Sequence, residues 1–526
     1  MSFCFRNRFI GFAFCILSLA QFTGVAQAND ILFRKGKTSY KIVVSSEASV
    51  SEKTAAEELK YYLGQISGVD FKLTNIPGRR NIYVGYTEEF AIFNGIKPYQ
   101  DFSEGFTVKK IGHDLVIYGG KDRGTMFGVF RFLQKYFGVQ WYTPDFTKIP
   151  NMGRFTIPNI VFSEEPKIKY RYTDFYCTQN ISWLAHNMMN ISRSNIPNGY
   201  GISSRYWGAH TFSQLLPADI YFKKHPEYFA YRNNKRLDNG QPCLSNSDVQ
   251  KIVTERLMSV IEKKPNYLFY DVSQLDNQNY CTCKSCVELE NKYGGHSGLM
   301  IWFVNQVARE VKKSYPDKYI GTFAYQYTRK APINIKPDDN VVIRLCDIEC
   351  CFTHPLASKC NKKNVAFMQD LDEWSKITKN LYIWDYIVNY SNFLTPFPNI
   401  QVLGPNLKTF AEYEVMEVFE EAQNSTLGNA FEELKSWVVT QLMWNPDQDT
   451  KELVAQFVSD YYGDASNDIL EYYYLCNSLI NEDDHMTCFS DPTKAPFTDE
   501  FNNEAYRILD RKIELICKDG ESLILK

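Results

Sequence analysis

Acidic side chains stand at or just after the ends of several predicted strands in this 526-residue chain. The candidate catalytic residues are Asp276, Glu349, Asp385, Glu420 and Glu421. Cleavage of a glycosidic bond needs one carboxyl group that protonates the leaving oxygen and a second group that stabilises or attacks the anomeric carbon. Acids that meet at one cleft would therefore favour glycoside cleavage, whereas any single one could be a solvated loop residue or a helix cap.

Rings and polar side chains near these acids predict contacts with a sugar. Trp384-Asp385-Tyr386 places an acid between two rings at one strand end. A sugar could stack on one of those rings, but Trp384 could equally lie in the core while Asp385 accepts a backbone hydrogen bond. His210 could contact a ligand or form structural hydrogen bonds. The predicted substrate-binding residues are His210, Trp207, Asn277, Tyr325, Tyr327, Arg344, Trp384 and Tyr386.

A strand followed by a helix recurs from about residue 165 onward, and this repeat would position the acids. We predict strands at 168–175, 188–193, 226–231, 267–273, 319–325, 340–346, 380–387 and 415–420. Eight strands over about 260 residues match a (β/α)8 barrel, whose active site lies at the C-terminal ends of the strands. Residues 176–225 are rich in Asn, Ser and Gly, which is typical of loops.

The predicted fold class is therefore α/β, with a TIM-like (β/α)8 barrel at 161–430. Helical periodicity at 52–65 and 123–137, with short strands around it, predicts a small α+β domain at 29–160. Residues 431–526 have a helical pattern and form a predicted C-terminal region.

The first 28 residues have the pattern of a signal peptide. Arg6 and Arg8 precede an apolar run at 9–20, and Ala26-Gln27-Ala28 forms a cleavage site. The run is shorter than the ~20 residues of a membrane span, and no second candidate follows. We therefore predict an exported protein, periplasmic or extracellular, without a membrane span.

Cysteines cluster in two places, and export bears on their interpretation. Cys281, Cys283 and Cys286 follow the fourth predicted strand, and four more cysteines lie at 346–360. Such a group could hold a structural zinc ion, whereas an oxidising compartment favours disulfides. We predict disulfides between the two groups, with no metal site and no cofactor. The sequence has no P-loop, no dinucleotide-binding glycine pattern and no HExxH motif.

The charge balance limits the classes of binding partner. The chain has 58 Lys+Arg and 61 Asp+Glu, a net charge of −3, which excludes a protein dominated by phosphate contacts to nucleic acid. A glycan or glycoprotein is the predicted partner, and the oligomeric state stays open.

Several segments resemble known glycosidase families. The segments 54–63 and 119–129 resemble the small domain that precedes the barrel in family 20 hexosaminidases and family 67 α-glucuronidases. The segments 273–286, 324–328, 344–351 and 382–386 resemble glycoside hydrolase family 163. Together these resemblances extend over most of residues 40–460.

The family 163 resemblance implies an endo-β-N-acetylglucosaminidase that cuts the chitobiose core of complex N-glycans, in an exported bacterial glycan-degrading system. It also implies a retaining mechanism in which the 2-acetamido oxygen of the substrate is the nucleophile. Family 20 has an adjacent Asp-Glu pair after strand four, where this chain has Asp276-Asn277. Either Asp276 takes one role and a Glu after strand six or eight supplies the acid, with Glu349 the first choice, or the mechanism differs.

Two alternatives accompany this interpretation. The family 67 resemblance implies an exo-acting α-glucuronidase that inverts configuration and binds a uronate through basic residues such as Arg329 and Arg344. A non-catalytic glycan-binding protein is the second alternative, because barrels host many functions.

Overall fold

The computed structural model describes residues 30–85, 97–190, 198–201, 206–426, 428–494 and 496–518. The predicted signal peptide at 1–28 lies outside these residues. Within them, no helix combines the length and the apolar character that crossing a membrane requires.

Nineteen strands and fourteen α-helices are described, in chain order. The strands are β1 (Ile31–Arg34), β2 (Lys41–Val44), β3 (Lys72–Thr74), β4 (Asn81–Val84), β5 (Phe106–Ile111), β6 (Asp114–Gly119), β7 (Gln140–Thr143), β8 (Phe146–Lys148), β9 (Arg154–Thr156), β10 (Val161–Glu164), β11 (Tyr170–Thr173), β12 (Tyr206–Trp207), β13 (Tyr231–Arg232), β14 (Lys235–Arg236), β15 (Phe269–Asp271), β16 (Tyr319–Ala324), β17 (Val341–Cys346), β18 (Leu381–Tyr386) and β19 (Glu417–Glu421). The helices are α1 (Val50–Ser67), α2 (Gly124–Phe137), α3 (Ile181–His186), α4 (Phe212–Leu215), α5 (Ala218–Tyr221), α6 (Ser247–Lys263), α7 (Lys284–Tyr293), α8 (His296–Ser314), α9 (Lys362–Ser375), α10 (Ile400–Glu412), α11 (Glu432–Trp444), α12 (Thr450–Tyr462), α13 (Ser466–Ser478) and α14 (Asp499–Lys518).

The N-terminal part is a six-stranded mixed sheet with α1 and α2 packed against it. Its strand order is β10-β5-β6-β4-β2-β3. Helix α1 begins at a capping box formed by Ser49 and Glu52, and it ends at Gly68, whose φ of 69° is left-handed. The predicted helices and the strands at the centre of this unit are thereby confirmed.

The larger part is built on seven parallel strands. Their order is β11-β19-β18-β17-β16-β15-β12, so the first strand pairs with the last. The sheet curls, because side chains from distant strands meet on one face: the Tyr170 ring lies 5.3 Å from Phe269, and the Tyr206 ring lies 5.6 Å from Tyr382. We call this face, which carries the Tyr382 side chain, the inner face of the sheet.

Gly321 shows how closely the inner face is packed. A Cβ atom at this position on β16 would lie 1.3 Å from the Tyr206 hydroxyl oxygen, so only glycine leaves room for that ring. The opposite face of the sheet packs against the helices in the main hydrophobic core, to which α11 and α12 also contribute.

Two of the eight predicted barrel strands differ from the structure. Residues 226–231 form a 3-10 turn at Pro226–Tyr228 and the start of the β13–β14 hairpin, and the second parallel strand in chain order is Tyr206–Trp207. Pro226 lacks a backbone donor for a sheet ladder, which favours the turn. The predicted strand at 188–193 extends beyond the described residues, and its described part is not a strand: Met188 has a φ of 57°.

The sheet is therefore a curled, half-barrel arrangement of seven parallel strands. Pairing between β11 and β12 is not seen among the residues that the structure describes. The predicted α/β class with a preceding small domain is confirmed, whereas closure into a full eight-stranded barrel is not.

Candidate active site

Alternation along the strands sorts the predicted acids onto two faces. Successive side chains of a strand point to opposite sides of the sheet. On β18, Tyr382 and Trp384 contact inner-face rings, so Asp385, the residue after Trp384, points outward. In register with β18, Phe419 and Glu421 of β19 lie on the inner face, while Glu420 pairs with Asp385 on the outer face.

Glu421 has the properties of a general acid. Its side chain is half-buried at the C-terminal end of β19. Burial raises the pKa of its carboxyl group to about 7; the hydrogen bond from Trp384 opposes this rise and the nearby charge of Asp174 adds to it. The Trp384 indole Nε1 donates to Glu421 Oε2 at 2.5 Å, which fixes the orientation of the carboxyl group. A carboxyl group that titrates near neutral pH can donate and then recover a proton.

A series of neighbouring rings extends from Glu421 along the C-terminal ends of the strands. The partly exposed ring of Trp384 lies 5.5 Å from Phe323, and Phe323 lies 4.8 Å from the His210 ring. His210 has a left-handed φ of 54° and places its Nδ1 atom 2.7 Å from the Gln274 carbonyl oxygen. The His210 ring is held by the backbone on one side and lies beside rings on the other.

Asp276 and Tyr325 complete this group of residues. The Tyr325 hydroxyl donates to Asp276 Oδ1 at 3.3 Å, and the Tyr325 ring lies 6.1 Å from His210. Asp276 is exposed in the loop that follows β15. We call the set formed by His210, Asp276, Phe323, Tyr325, Trp384 and Glu421 the cleft residues.

Two further residues adjoin Glu421 and were missed by the sequence interpretation. Asp174 follows β11 and accepts hydrogen bonds from the Ala422 backbone and from the Asn424 amide at 2.6 and 3.0 Å. The Tyr390 side chain also faces the Glu421 carboxyl group and lowers its pKa. The position of Asp174 just after the first strand is the same signal that identified the other acids.

Three carboxyl groups form a separate row on the outer face. Asp385 and Glu420 are in register on β18 and β19, Asp347 directly follows β17, and each of the three is at most 1% exposed. Burial, followed by the charges of its two neighbours, raises the pKa of Asp347 well above the usual range, and burial raises that of Asp385 to about 6. Among the described residues, no donor group bonds to the carboxyl oxygens of Asp347 or Glu420. We call these three residues the outer row; its members must share protons to remain buried.

Arg344 is enclosed within the sheet, beneath the cleft residues. Its guanidinium lies 4.1 to 4.8 Å from four ring centres. Those rings belong to Tyr206, Phe323, Tyr382 and Trp384. Its Nη1 atom donates to Asp271 and to the Gly208 carbonyl oxygen, both at 3.1 Å. Asp271 also accepts from the Ser273 hydroxyl group. This buried ion pair fills the interior of the curled sheet and leaves Arg344 at most 3% exposed.

Glu349, our first choice for the acid, lies in an ion-paired group. Arg329 bonds to Glu349 and, through its Nε atom, to Asp370 at 2.7 Å. The Glu349 carboxylate is thus held in an ion pair, and its role as the acid stays a prediction.

Of the remaining predicted substrate-binding residues, Trp207 and Tyr386 are buried, and Tyr327 and Asn277 contact residues outside the set of cleft residues. Trp207 is 8% exposed in the main core, on the face opposite Tyr206. Tyr327 packs against Tyr280 at 5.1 Å, and the Asn277 amide donates to the Asn239 carbonyl oxygen in the segment after β14. Tyr386 is on the inner face next to Glu421 but is only 6% exposed. A role for any of them in binding stays a prediction.

The cysteine prediction needs a correction. Cys281, Cys283 and Cys286 gather around Cys243, which precedes α6, and not around the cysteines at 346–360. The backbone of the β13–β14 hairpin brings Cys243 to this loop, because Thr282 N donates to the Tyr231 carbonyl oxygen at 2.8 Å. The two predicted cysteine groups are therefore not partners of one another.

Family comparisons agree with this architecture. Residues 141–474, more than half of the chain, match the family described as Domain of unknown function (DUF4838). The chain belongs to this family. In this DUF4838 protein, residues 29–132 also match the Glycosyl hydrolase family 67 N-terminus, which confirms the predicted likeness of the small domain. A search of curated proteins finds no match.

Solved structures place the DUF4838 protein among glycoside hydrolase folds. The family GH115 4-O-methyl-α-glucuronidase BtGH115A, with specificity for decorated arabinogalactans, is 12% identical, and the match covers 93% of this chain and 69% of that chain with a TM-score of 0.56. The Flavobacterium johnsoniae chitobiase FjGH20 is 11% identical over 94% of this chain and 83% of its own, with a TM-score of 0.47. A β-N-acetylhexosaminidase from Bacteroides fragilis NCTC 9343 is 11% identical over 84% and 92%, with a TM-score of 0.44. The similarity to BtGH115A supports a glycoside hydrolase-like fold for this chain.

Proposed function

We propose that this protein is an exported endo-β-N-acetylglucosaminidase that cuts the chitobiose core of complex N-glycans, with Glu421 as the general acid and base. The observation that carries the proposal is the Glu421 carboxyl group. This group is half-buried on the inner face of the sheet, at the C-terminal end of β19. Its pKa is raised to about 7, and the Trp384 indole orients it. Among the predicted acids, this combination is specific to Glu421.

The proposed reaction is retaining and uses the substrate as its own nucleophile. Glu421 protonates the leaving glycosidic oxygen while the 2-acetamido oxygen attacks C1, so that the C1–O bond breaks and an oxazolinium ion forms. The Glu421 carboxylate then removes a proton from a water molecule that attacks C1, which restores the acetamido group and the protonated acid. The protein needs no second nucleophilic carboxylate for this route.

The other cleft residues fit the remaining requirements. Asp276 accepts a hydrogen bond from the Tyr325 hydroxyl group. Its carboxylate would also accept a hydrogen bond from the N–H of the substrate's acetamido group, which would orient that group and stabilise the positive charge that develops on it. The partly exposed Trp384 ring would support a sugar ring by stacking. These roles keep the predicted Asp276 function and move the acid from Glu349 to Glu421.

The α-glucuronidase alternative has weaker support in the site than in the fold. The structure with the TM-score of 0.56 is an α-glucuronidase, and a uronate would need a cation at the cleft. Arg344 is enclosed by rings and paired with Asp271, and Arg329 is paired with Glu349 and Asp370. Both arginines are therefore already in ion pairs, and Arg344 is buried.

Mass spectrometry of a glycoprotein that carries complex N-glycans tests the proposal. Incubation with the purified protein should release glycans that end in one GlcNAc and leave one GlcNAc on each asparagine. The Glu421→Gln variant, prepared identically, should release none, which excludes a contaminating enzyme. Release of glucuronic acid from uronate-capped oligosaccharides instead would contradict the proposal in favour of the α-glucuronidase. Retained glycan binding by the wild-type protein without any hydrolysis would contradict it in favour of a binding protein.

A further inference from the structure

Four cysteine sulfurs form a compact group beside the loop that carries Asp276. The Sγ atoms of Cys243, Cys281, Cys283 and Cys286 all lie within 4.8 Å of one another. We propose that these four side chains hold one zinc ion as a structural tetrathiolate site.

The distances between the sulfurs match a tetrahedral zinc site. The Sγ atom of Cys243 lies 3.6 Å from that of Cys283 and 3.8 Å from that of Cys286. Zinc–sulfur bonds of ~2.3 Å in a tetrahedron separate the sulfurs by about 3.8 Å. Four thiols that converge on one point, three of them buried, have the donor type and number of a closed structural zinc site.

The surroundings of the four sulfurs supply groups that attract negative charge. Cys283 occupies the N-cap position of α7 and Cys286 lies in its first turn, where the helix dipole favours negative charge. The Tyr231 backbone N–H donates to Cys281 Sγ at 3.3 Å, and an Arg236 nitrogen lies 4.0 Å from the same sulfur. A zinc ion with four thiolates has a charge of −2, which these donors and the Arg236 guanidinium partly offset.

The proposed site would connect two segments that are far apart in sequence. Cys243 follows the β13–β14 hairpin, whereas the other three ligands follow β15 and the exposed loop that contains Asp276. Gln241 reinforces the same junction, because its amide nitrogen donates to the Leu275 and Asn277 carbonyl oxygens, both at 2.9 Å. A metal ion here would hold the Asp276 loop in place without touching the substrate.

A second group must be distinguished in any metal measurement. Cys351, His354, Cys360 and His485 also have ligand atoms within 4.8 Å of one another. The test therefore relies on the difference between matched variants rather than on the total metal content.

Elemental analysis of the full chain, recovered after export and without chelators, tests the proposal. Cys243→Ser should contain one equivalent of zinc per chain less than the wild-type protein. The control Cys177→Ser changes a cysteine outside both groups and should retain the wild-type zinc content. Equal zinc in Cys243→Ser and wild type would overturn the proposal.

Two measurements on the wild-type protein keep the proposal testable if Cys243→Ser does not fold. Replacement of zinc by cobalt(II) should produce the visible absorption of a tetrahedral cobalt–thiolate centre. Alkylation under denaturing, non-reducing conditions with a chelator should modify all four cysteines, as peptide mass spectrometry would show. Disulfides that link Cys243, Cys281, Cys283 and Cys286 in the exported protein would overturn the site, whatever the outcome for glycan hydrolysis.

Discussion

Glu420 and Glu421 are neighbours in sequence, yet they lie in two different environments at the end of β19. Glu421 is on the inner face, half-buried beside Trp384, with a pKa near neutral. Glu420 is on the outer face, fully buried beside Asp385, with a pKa raised well above the usual range by burial and by that neighbour. Both carboxyl groups are predicted to hold a proton at mildly acidic pH, but only Glu421 is partly open to solvent.

This difference separates a carboxyl group that a substrate could reach from carboxyl groups that are enclosed in the core. A general acid must reach the substrate and exchange its proton within each turnover. The outer row is buried in the core. Proton binding by its carboxyl groups therefore affects the free energy of unfolding and makes that free energy depend on pH. We expect substitutions on the two faces to change different measurements.

The largest expected effect is on hydrolysis by Glu421→Gln. Loss of the general acid should lower kcat by about 10²- to 10⁴-fold, measured by release of glycans from a glycoprotein. Glu420→Gln is the matched control, because it makes the same chemical change one residue away on the outer face. It should retain kcat within about threefold, since an amide can replace a protonated carboxyl group there. A large loss of kcat in folded Glu420→Gln, with Glu421→Gln active, would reverse the assignment of the two faces.

The pH dependence should sharpen the assignment of Glu421. Because the raised pKa keeps the carboxyl group protonated below about pH 7, kcat/KM should fall by about tenfold per pH unit above that value. Trp384→Phe removes the hydrogen bond that lowers this pKa, so the alkaline limb should move upward by about one pH unit or less. The same variant should bind the glycan more weakly if the indole also stacks on a sugar. An alkaline limb that stays unchanged in Trp384→Phe would indicate that another group controls it.

The smallest expected effect is on stability, through the outer row. A carboxyl group whose pKa is raised by folding binds more protons in the folded state, so the free energy of unfolding falls as pH rises from its unfolded pKa through its folded pKa. For Asp385 this window extends from about 4 to about 6, and the slope is at most about 1.4 kcal/mol per pH unit for each proton. Asp385→Asn should flatten the dependence of the apparent Tm on pH between 4 and 7. The control Glu255→Gln, on an exposed helix surface, should leave the slope unchanged. A slope in Asp385→Asn equal to that of the wild-type protein would contradict the prediction.

Much of the element order follows from local patterns. The capping box at Ser49, the glycine at 68 and the helical period of α1 are short-range signals, and the structure confirms them. The failure at 226–231 is also local in origin, since a short apolar run does not distinguish a strand from a turn that begins at Pro226. Strand β12 has only two residues, which are too few to show the alternation of a strand.

The sequence by itself determined the α/β class, the strand ends that carry acids, the small N-terminal domain and the concentration of cysteines after the fourth predicted strand. Only the tertiary structure decided which acids share a face, because a shift of one residue along a strand moves a side chain to the opposite side of the sheet. It also decided the pKa of Glu421, which depends on burial and on Trp384 from the neighbouring strand, and it brought Cys243 to three cysteines about 40 residues away. Burial and contacts between distant segments set these properties, and no local pattern of residues encodes them.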